Sequence, residues 1–448
     1  MPQSPSPAQA NGAPKAVLTT RDAIGIIVGL VIGAGIFRLP QLVAMNSASE
    51  WVFYGLWIAG GVISLVGAMV YAELATAFPS AGGDYSFVQR AYGRTLSFLY
   101  AWARIAVITT GSIAVLAYTF GDYASNLLRL GPASSSIWAA LAVVALTVIN
   151  LAGIRETKGT QNWLTALEVA GVVAVIVTGI LLVAPVAPAV ATAPAEPKPW
   201  MAGVPLAILF VLFTYGGWNE SAYISAELKE RRSMVVALVF GLAAVTLLYL
   251  AVNYAYVRTL GLEGLAKSET AAADVLRRQF GEAGSKIISF IIAVSALTSI
   301  NATLIVGARS NYALGRDWPV FGWLGHWHEK SDAPRNSLLL QAGVALALVG
   351  AGAFTDKIET MVNYTMPVFW FFIMLVGIGL FVLRAKEPNV PRPFKVPFYP
   401  VTPIIFILTC AYLFWSSVTY VGGGALVGLG VLGVGVILLF VGKGRASA

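Results

Sequence analysis

The chain has 448 residues, 58% of them hydrophobic and only 11% charged, with a formal net charge of +8. Ordinary soluble domains carry about 25% charged residues. So little charge on so much apolar surface excludes a water-soluble globule and makes lipid the solvent. An excess of positive charge would also suit a nucleic-acid binder, but the bases fall in short segments between apolar stretches. Arg90, Arg94, Arg155, Lys158, Lys229, Arg231, Arg232, Arg384 and Lys386 collect on one side of them. Several bases of the other side lie in the long 259–285 segment, where the positive-inside rule counts them little. The pattern predicts both termini in the cytoplasm and no nucleic-acid partner.

The first residues, Met1-Pro2-Gln3-Ser4-Pro5 onward, lack the basic start and apolar run of a signal peptide. A disordered tail is expected over 1–20. Apolar stretches near helix length then follow at 22–44, 51–77, 94–122, 134–153, 162–185 and 201–227. Six more lie at 233–258, 284–312, 336–353, 358–384, 400–420 and 423–441. A membrane helix needs about 20 residues, so the expectation is an all-α membrane protein of twelve transmembrane helices. Pro79 to Gly83, Pro185 to Pro199 and Pro388 to Pro400 punctuate the stretches. The 262–281 segment is expected as a loop carrying a short surface helix.

Two stretches are interrupted at mid-length. Val31-Ile32-Gly33-Ala34-Gly35-Ile36-Phe37 breaks the first, and Phe213-Thr214-Tyr215-Gly216-Gly217-Trp218-Asn219-Glu220 breaks the sixth. Freed backbone groups at membrane depth cost several kcal/mol each unless they line a cavity or bind something. Matched breaks five spans apart point to a transporter built from an inverted repeat. The halves would be 21–185 and 201–384, with 400–441 appended.

A broken helix offers free N–H groups at one internal end and free carbonyls at the other. The amides of Gly33, Ala34 and Gly35 suit a carboxylate. The carbonyls of Val31, Phe213 and Thr214 suit an ammonium. An α-amino acid carries both groups. Tight helix packing through small residues is the alternative reading of each break taken alone. Tyr215, Gly216, Trp218 and Asn219 are candidates to border a substrate side chain, with aromatic packing as the alternative for the two rings. Phe213 is a candidate lid.

Charges inside spans need partners. Glu73, Arg104, Glu168 and Glu220 stand out. Glu168 is the first candidate to bind a proton or stand in for a cation. Its alternative is a structural ion pair with Arg104. Arg38 is expected in a watered vestibule outside the first break. The two histidines, His326 and His328, fall between spans, and no phosphate loop or catalytic constellation occurs. The single cysteine, Cys410, lies in an apolar stretch and permits no intrachain disulfide. No enzyme activity, cofactor or metal is expected.

Several motifs together resemble a known family. They are Ile32-Gly33-Ala34-Gly35-Ile36-Phe37, then Tyr71-Ala72-Glu73-Leu74 with Pro79-x-Ala81-Gly82-Gly83-x-Tyr85. Phe213-x-Tyr215-Gly216-Gly217-Trp218-Asn219 follows, then Gly307-Ala308-Arg309 with Tyr312-Ala313-Leu314 and Arg316-Asp317, and finally Arg392-Pro393-Phe394-Lys395-Val396-Pro397. In these the chain resembles the amino acid–polyamine–organocation superfamily, and within it bacterial relatives of the L-type amino acid transporters.

The resemblance implies a five-plus-five inverted repeat with the first and sixth helices discontinuous, alternating access, and sodium-independent amino acid transport. It implies a substrate carboxylate on the Gly33–Gly35 backbone and an amino group on the carbonyls of Val31 and Phe213. It also implies Phe213 and Trp218 at the gate and side-chain pocket. Three positions depart from the pattern. Ala34 stands where many relatives carry Ser or Thr. Glu168 stands where many carry a lysine that replaces a sodium ion. The stretch from Asp122 to Ser135 lacks the cysteine through which animal relatives bond a glycoprotein.

The reading is a cytoplasmic-membrane permease for neutral amino acids, coupled to protons or working by exchange. An amino acid/amine antiporter is the alternative, since Glu220 would welcome a second positive charge. A non-transporting amino acid sensor is the alternative of another class. No disulfide-linked heavy subunit is expected, and the assembly would be a monomer or weak homo-oligomer. Glu168, Arg104 and Glu220 are the candidate coupling groups.

Overall fold

The computed structural model describes residues 18–80, 82–153, 158–186, 201, 203–328, 333–354, 357–421 and 423–445. The predicted N-terminal tail lies outside them except for 18–20, and so does most of the Pro185–Pro199 loop. Among the described residues the fold is helical, and extended pairing is limited to two isolated bridges.

In chain order the helices are α1 (Thr20–Val31), α2 (Gly35–Met45), α3 (Glu50–Ala77), α4 (Gly83–Tyr92) and α5 (Arg94–Ala103). A π-helical turn, Arg104–Ile108, joins α5 to α6 (Thr109–Leu127). Next come α7 (Ser134–Leu151) and α8 (Lys158–Val177), which closes in a second π turn, Thr178–Leu182. After α9 (Val204–Thr214) and a 3-10 segment, Trp218–Glu227, follow α10 (Arg232–Lys267) and α11 (Ala271–Asp317). The chain ends with α12 (Arg335–Gly352), α13 (Lys357–Lys386), α14 (Val401–Val421) and α15 (Gly423–Arg445).

Each of the twelve apolar stretches is a helix or an interrupted helix. Among the described residues, seven helices are long and apolar enough to cross a membrane, or eight if the bent pair α1–α2 is counted as one span. The sixth stretch yields only the 11-residue α9 before its break. The 262–281 segment is more ordered than expected. It extends α10 past a kink at Gly261 and begins α11 before a kink at Gly281. Both glycines have positive φ, and Leu265, Ala272 and Val275 are fully buried there.

Local chemistry sets several boundaries. Thr19 caps α1, accepting from the Asp22 amide at 3.4 Å while Asp22 accepts from the Thr19 amide at 2.9 Å. Ser49 caps α3 by accepting from the Val52 amide at 3.3 Å. In the bundle apolar side chains face outward as well as inward. Leu247 is 69% exposed and Leu408 62%, whereas polar side chains bridge the helices within. Asn150 of α7 donates to Asn301 of α11 at 2.6 Å, and Asn126 of α6 reaches Ser285 and Ser289. Such bonds fasten helices where lipid supplies no hydrophobic drive to associate.

One face collects the start of α1, the end of α3, α4, and the ends of α11 and α13. Thr20 bonds Ser233 there, Arg231 donates to the Thr76 carbonyl, and Tyr85 donates to Asp317. Arg90 of α4 grips Glu387 with two bonds of 2.6 Å and holds that carboxyl below the usual carboxylate range. This is called the N-terminal face below.

Glu73 is the deepest structural charge. It is fully buried near the end of α3. Arg384 of α13 meets it with bonds of 2.8 and 2.6 Å, Arg392 adds one of 3.2 Å, and the Val396 amide adds one of 2.7 Å. The Arg392–Pro397 motif therefore folds back onto the Tyr71–Leu74 motif. Removing one member of a buried ion pair costs about 3–5 kcal/mol, because the remaining charges are left uncompensated. Glu73→Ala should lower the thermal unfolding temperature of the detergent-purified protein by several degrees, and Glu73→Gln by less. An unchanged midpoint for both would show that the cluster does not hold α3 to α13.

Candidate functional site

The two breaks lie against each other. Helix α1 ends at Val31, α2 begins at Gly35, and the two are bent by 46°. Between them the Gly33 amide turns back to the Val31 carbonyl at 2.8 Å. The amides of Ala34 and Gly35 have no backbone partner in this turn and form the bare start of α2. Gly33, predicted as one of three carboxylate donors, is thus already engaged.

In the second break, Gly217 has φ +102 and ψ −27, a left-handed conformation natural to glycine. A Cβ on it would stand 2.3 Å from the Leu30 carbonyl oxygen. One on Gly35 would stand 3.8 Å from Thr214. Backbone therefore touches backbone at Gly217, where only glycine permits the spacing, while a Cβ on Gly35 would make an ordinary contact.

Tyr249, from the middle of α10, joins the two interruptions. Its hydroxyl lies 2.7 Å from the Val31 carbonyl and 3.2 Å from the Thr214 carbonyl. Val31 O thus accepts from both Gly33 and Tyr249, which fills its two lone pairs. Phe213 O accepts from the Gly216 amide at 3.0 Å, and Thr214 O has the Tyr249 hydroxyl. Each keeps one lone pair, so an ammonium is better served by Phe213 and Thr214 than by Val31.

A cavity of about 250 Å³ opens between the breaks. Val31, Gly33, Gly35, Phe213, Thr214, Gly216 and Asn219 of the predicted set line it. Ala34 is buried outside the lining. Tyr215 turns away from it, donating to the Trp57 carbonyl and packing against the Trp57 and Tyr249 rings. Trp218 borders a smaller adjoining void with Ser64, Gly216 and Trp370, and its ring meets Tyr71 edge-on at 5.1 Å.

The remaining wall comes from α6, α11 and α13. Thr109, Ser112, Thr303, Gly307, Thr365 and Phe369 line the cavity; none was predicted as a site residue, although Gly307 belongs to a quoted motif. Ser112, Thr303 and Thr365 donate to carbonyls of their own helices, which leaves their oxygens as acceptors. The signal was available: hydroxyls and glycine at helical spacing, Thr109/Ser112 and Thr303/Gly307, inside apolar spans.

Arg104 and Glu220 are the charged groups among the lining residues. Arg104 sits in the π turn, a distortion common at functional sites, and Tyr364 caps the Ala106 carbonyl in that turn. Its guanidinium meets both Glu220 oxygens, at 3.1 and 3.2 Å, and donates to the Tyr223 hydroxyl at 2.7 Å. The sequence-based alternative of an Arg104–Glu168 pair is therefore corrected. Glu168 is buried outside the cavity lining and accepts from Ser295 of α11 at 2.5 Å.

Arg38 is also corrected. It is buried rather than watered, donating to Asp122 at 2.9 Å, and Ser135 donates to the other Asp122 oxygen. An arginine one helical turn past the break meets α6 there instead of solvent. Tyr123 and Tyr256 donate to the carbonyls of Phe37 and Ile36 nearby. The chain is thus closed above α2, whereas Leu30, Glu220 and Val306 keep partial exposure beside the cavity.

A family model described as amino acid permease matches residues 18–438. The large neutral amino acids transporter small subunit 2 of Mus musculus is 31% identical over 438 residues, covering 94% of this chain and 80% of the relative. The Homo sapiens protein of the same name is also 31% identical, over 94% of this chain and 79% of its own length. The b(0,+)-type amino acid transporter 1 of Mus musculus is 28% identical over 401 residues, covering 88% and 81%.

Three substitutions test the geometry of the breaks. Gly217→Ala should abolish substrate binding and lower the unfolding temperature, because backbone blocks the new Cβ. Gly25→Ala, in α1 with open space around it, should be neutral or stabilising by about 0.5–1 kcal/mol. Tyr249→Phe should weaken binding by about 1–3 kcal/mol, the cost of a lost buried bond. Equal thermal stability and binding for Gly217→Ala and Gly25→Ala would contradict the described contact.

Proposed function

Since the chain belongs to the amino acid permease family, whose members are multi-pass membrane transporters rather than enzymes, we propose that it is a permease for neutral amino acids. One observation carries the neutral preference. Arg104 and Glu220 bind each other across two short bonds, so the charged groups lining the cavity cancel. A substrate side chain with its own charge would have to break that pair. The same pairing occupies Glu220 and removes the motive for the amine antiporter.

The substrate carboxylate lies at the bare amides of Ala34 and Gly35, where the α2 dipole favours negative charge. Its ammonium lies at the carbonyls of Phe213 and Thr214, with hydroxyl oxygens of α6, α11 and α13 beyond. Phe213 lines the cavity and serves as its lid, and Trp218 closes the side-chain end through the Gly216 void.

Transport proceeds by alternating access, with the halves 21–185 and 201–384 rocking about the breaks and 400–441 appended. The twelve stretches are the spans, and the N-terminal face is cytoplasmic in a bacterial cell membrane. The buried Arg38–Asp122 pair and the partly exposed Leu30 and Val306 support a conformer closed on the far side and open toward the N-terminal face. Transport is independent of sodium and coupled to protons or to exchange, with Glu168 a candidate group. Cys410, the only cysteine, is fully buried, which supports a permease without a disulfide-linked subunit.

Purified protein should be stabilised thermally by neutral α-amino acids and not by the corresponding amines, which lack the carboxylate. In liposomes, uptake driven by an inward proton gradient indicates symport, and uptake only into preloaded vesicles indicates exchange. Stabilisation by no α-amino acid would refute the two-ended site. Stabilisation by lysine or arginine as strong as that by leucine would refute the neutral preference.

A further inference from the structure

Beneath the cavity, on the N-terminal side, lies a cluster that the substrate site does not use. Asp84 begins α4, between the spans α3 and α5, and is buried. One carboxyl oxygen accepts from the Tyr100 hydroxyl at 3.1 Å. The other, Oδ1, is buried with no hydrogen-bond partner. The Tyr71 phenol faces Asp84, but outside the geometry of an ordinary hydrogen bond, and its oxygen is likewise unpartnered.

An ionised carboxylate with a bare oxygen in a buried site is strongly disfavoured. A proton on Oδ1 removes the charge that this buried, unpartnered oxygen would otherwise carry. We propose that Asp84 is a proton-binding site through which the transport cycle is coupled to pH. This rests on the alternating-access reading above.

The surroundings connect that proton to the substrate. Tyr100, which donates to Asp84, lies 3.4 Å from an Arg104 nitrogen, and Arg104 holds Glu220 at the cavity wall. Gly83, immediately before Asp84, has φ +47, and a Cβ there would come within 2.6 Å of the Tyr223 ring. The start of α4 is thus seated on the same 3-10 segment that carries Glu220. The facing titratable groups are Tyr71 from α3, Tyr100 from α5, Arg104 from the π turn, and Glu220 and Tyr223 from the 3-10 segment. Glu73 of α3 is held by Arg384 and Arg392, and Lys386, which ends α13, and the following Glu387 meet the far end of α4 at Ala91 and Arg90.

Burial, and then the nearby Glu220, push the Asp84 carboxyl up to about 7 against the opposing pull of Arg104 and Tyr100. An Asp in water titrates near 3.9. The seated α4 is therefore favoured at low pH. That contribution is complete below about 4 and is lost as pH rises through about 7. Neutral Asp84 keeps α4 docked. Loss of the proton drives the carboxylate toward water and loosens α4 from the 3-10 segment that borders the substrate.

Hydrogen exchange of Gly83–Tyr92 in the full-length protein in lipid nanodiscs, corrected for intrinsic exchange at each pH, reads this directly. Protection should fall by up to about tenfold per pH unit as pH approaches 7 from below, one proton being released on opening. Asp84→Asn should make the profile flat, and Glu168→Gln should leave it as in wild type. A wild-type profile in Asp84→Asn, or a flat one in Glu168→Gln, overturns the assignment. If Asp84→Asn does not fold, Tyr100→Phe decides: losing the donor to the ionised form moves the inflection to higher pH, and an unmoved inflection overturns the proposal. The readout needs no substrate. An Asp84-dependent profile without stabilisation by any amino acid would sink the substrate reading alone.

Discussion

The architecture depends on how interrupted backbone is satisfied where water is scarce. A helix that stops at mid-membrane leaves amides and carbonyls that lipid cannot bond. Here the two stops are placed back to back, with Gly217 against the Leu30 carbonyl. Tyr249 then reaches Val31 and Thr214 together. One phenol proton thus lies between a carbonyl on each side, and the groups left over face a common cavity. The remaining amides and carbonyls are of opposite polarity, and the proposed zwitterion site rests on that.

Charge is handled by the same economy. Ionised groups at depth are tolerated when paired, and three carboxylates here have an arginine partner. Glu73 holds α13 and the following connection, Asp122 holds Arg38 and so α2, and Glu220 holds Arg104 at the cavity wall. The first is structural, the second fastens α2 to α6, and the third leaves the cavity lining without net charge. Asp84 differs, because one of its buried carboxyl oxygens has no hydrogen-bond partner.

Much of the fold and part of the site are readable in the amino-acid order. The helices follow from runs of apolar residues, and the breaks follow from glycines and polar residues clustered inside those runs, since both properties are local. Side-chain roles were less legible. Tyr215 borders the second break in sequence yet points into α3, while Tyr249, well downstream in α10, touches both breaks. Glu168 and Arg104 both stood out as buried charges, but neither partner followed from spacing. Arg38 looked solvent-bound because its acceptor lies 84 positions away.

Residue order alone was enough for the class of molecule, the helical stretches and the two interruptions. Hydrophobicity, glycine content and capping act over a few residues and need no knowledge of neighbours in space. Partnership needed the folded molecule. Which carbonyl keeps a free lone pair, which arginine neutralises which carboxylate, and which hydroxyls face the cavity all depend on helix rotation and on contacts between segments far apart in the chain. Those are set by close packing of side chains across the whole bundle, which no local pattern encodes.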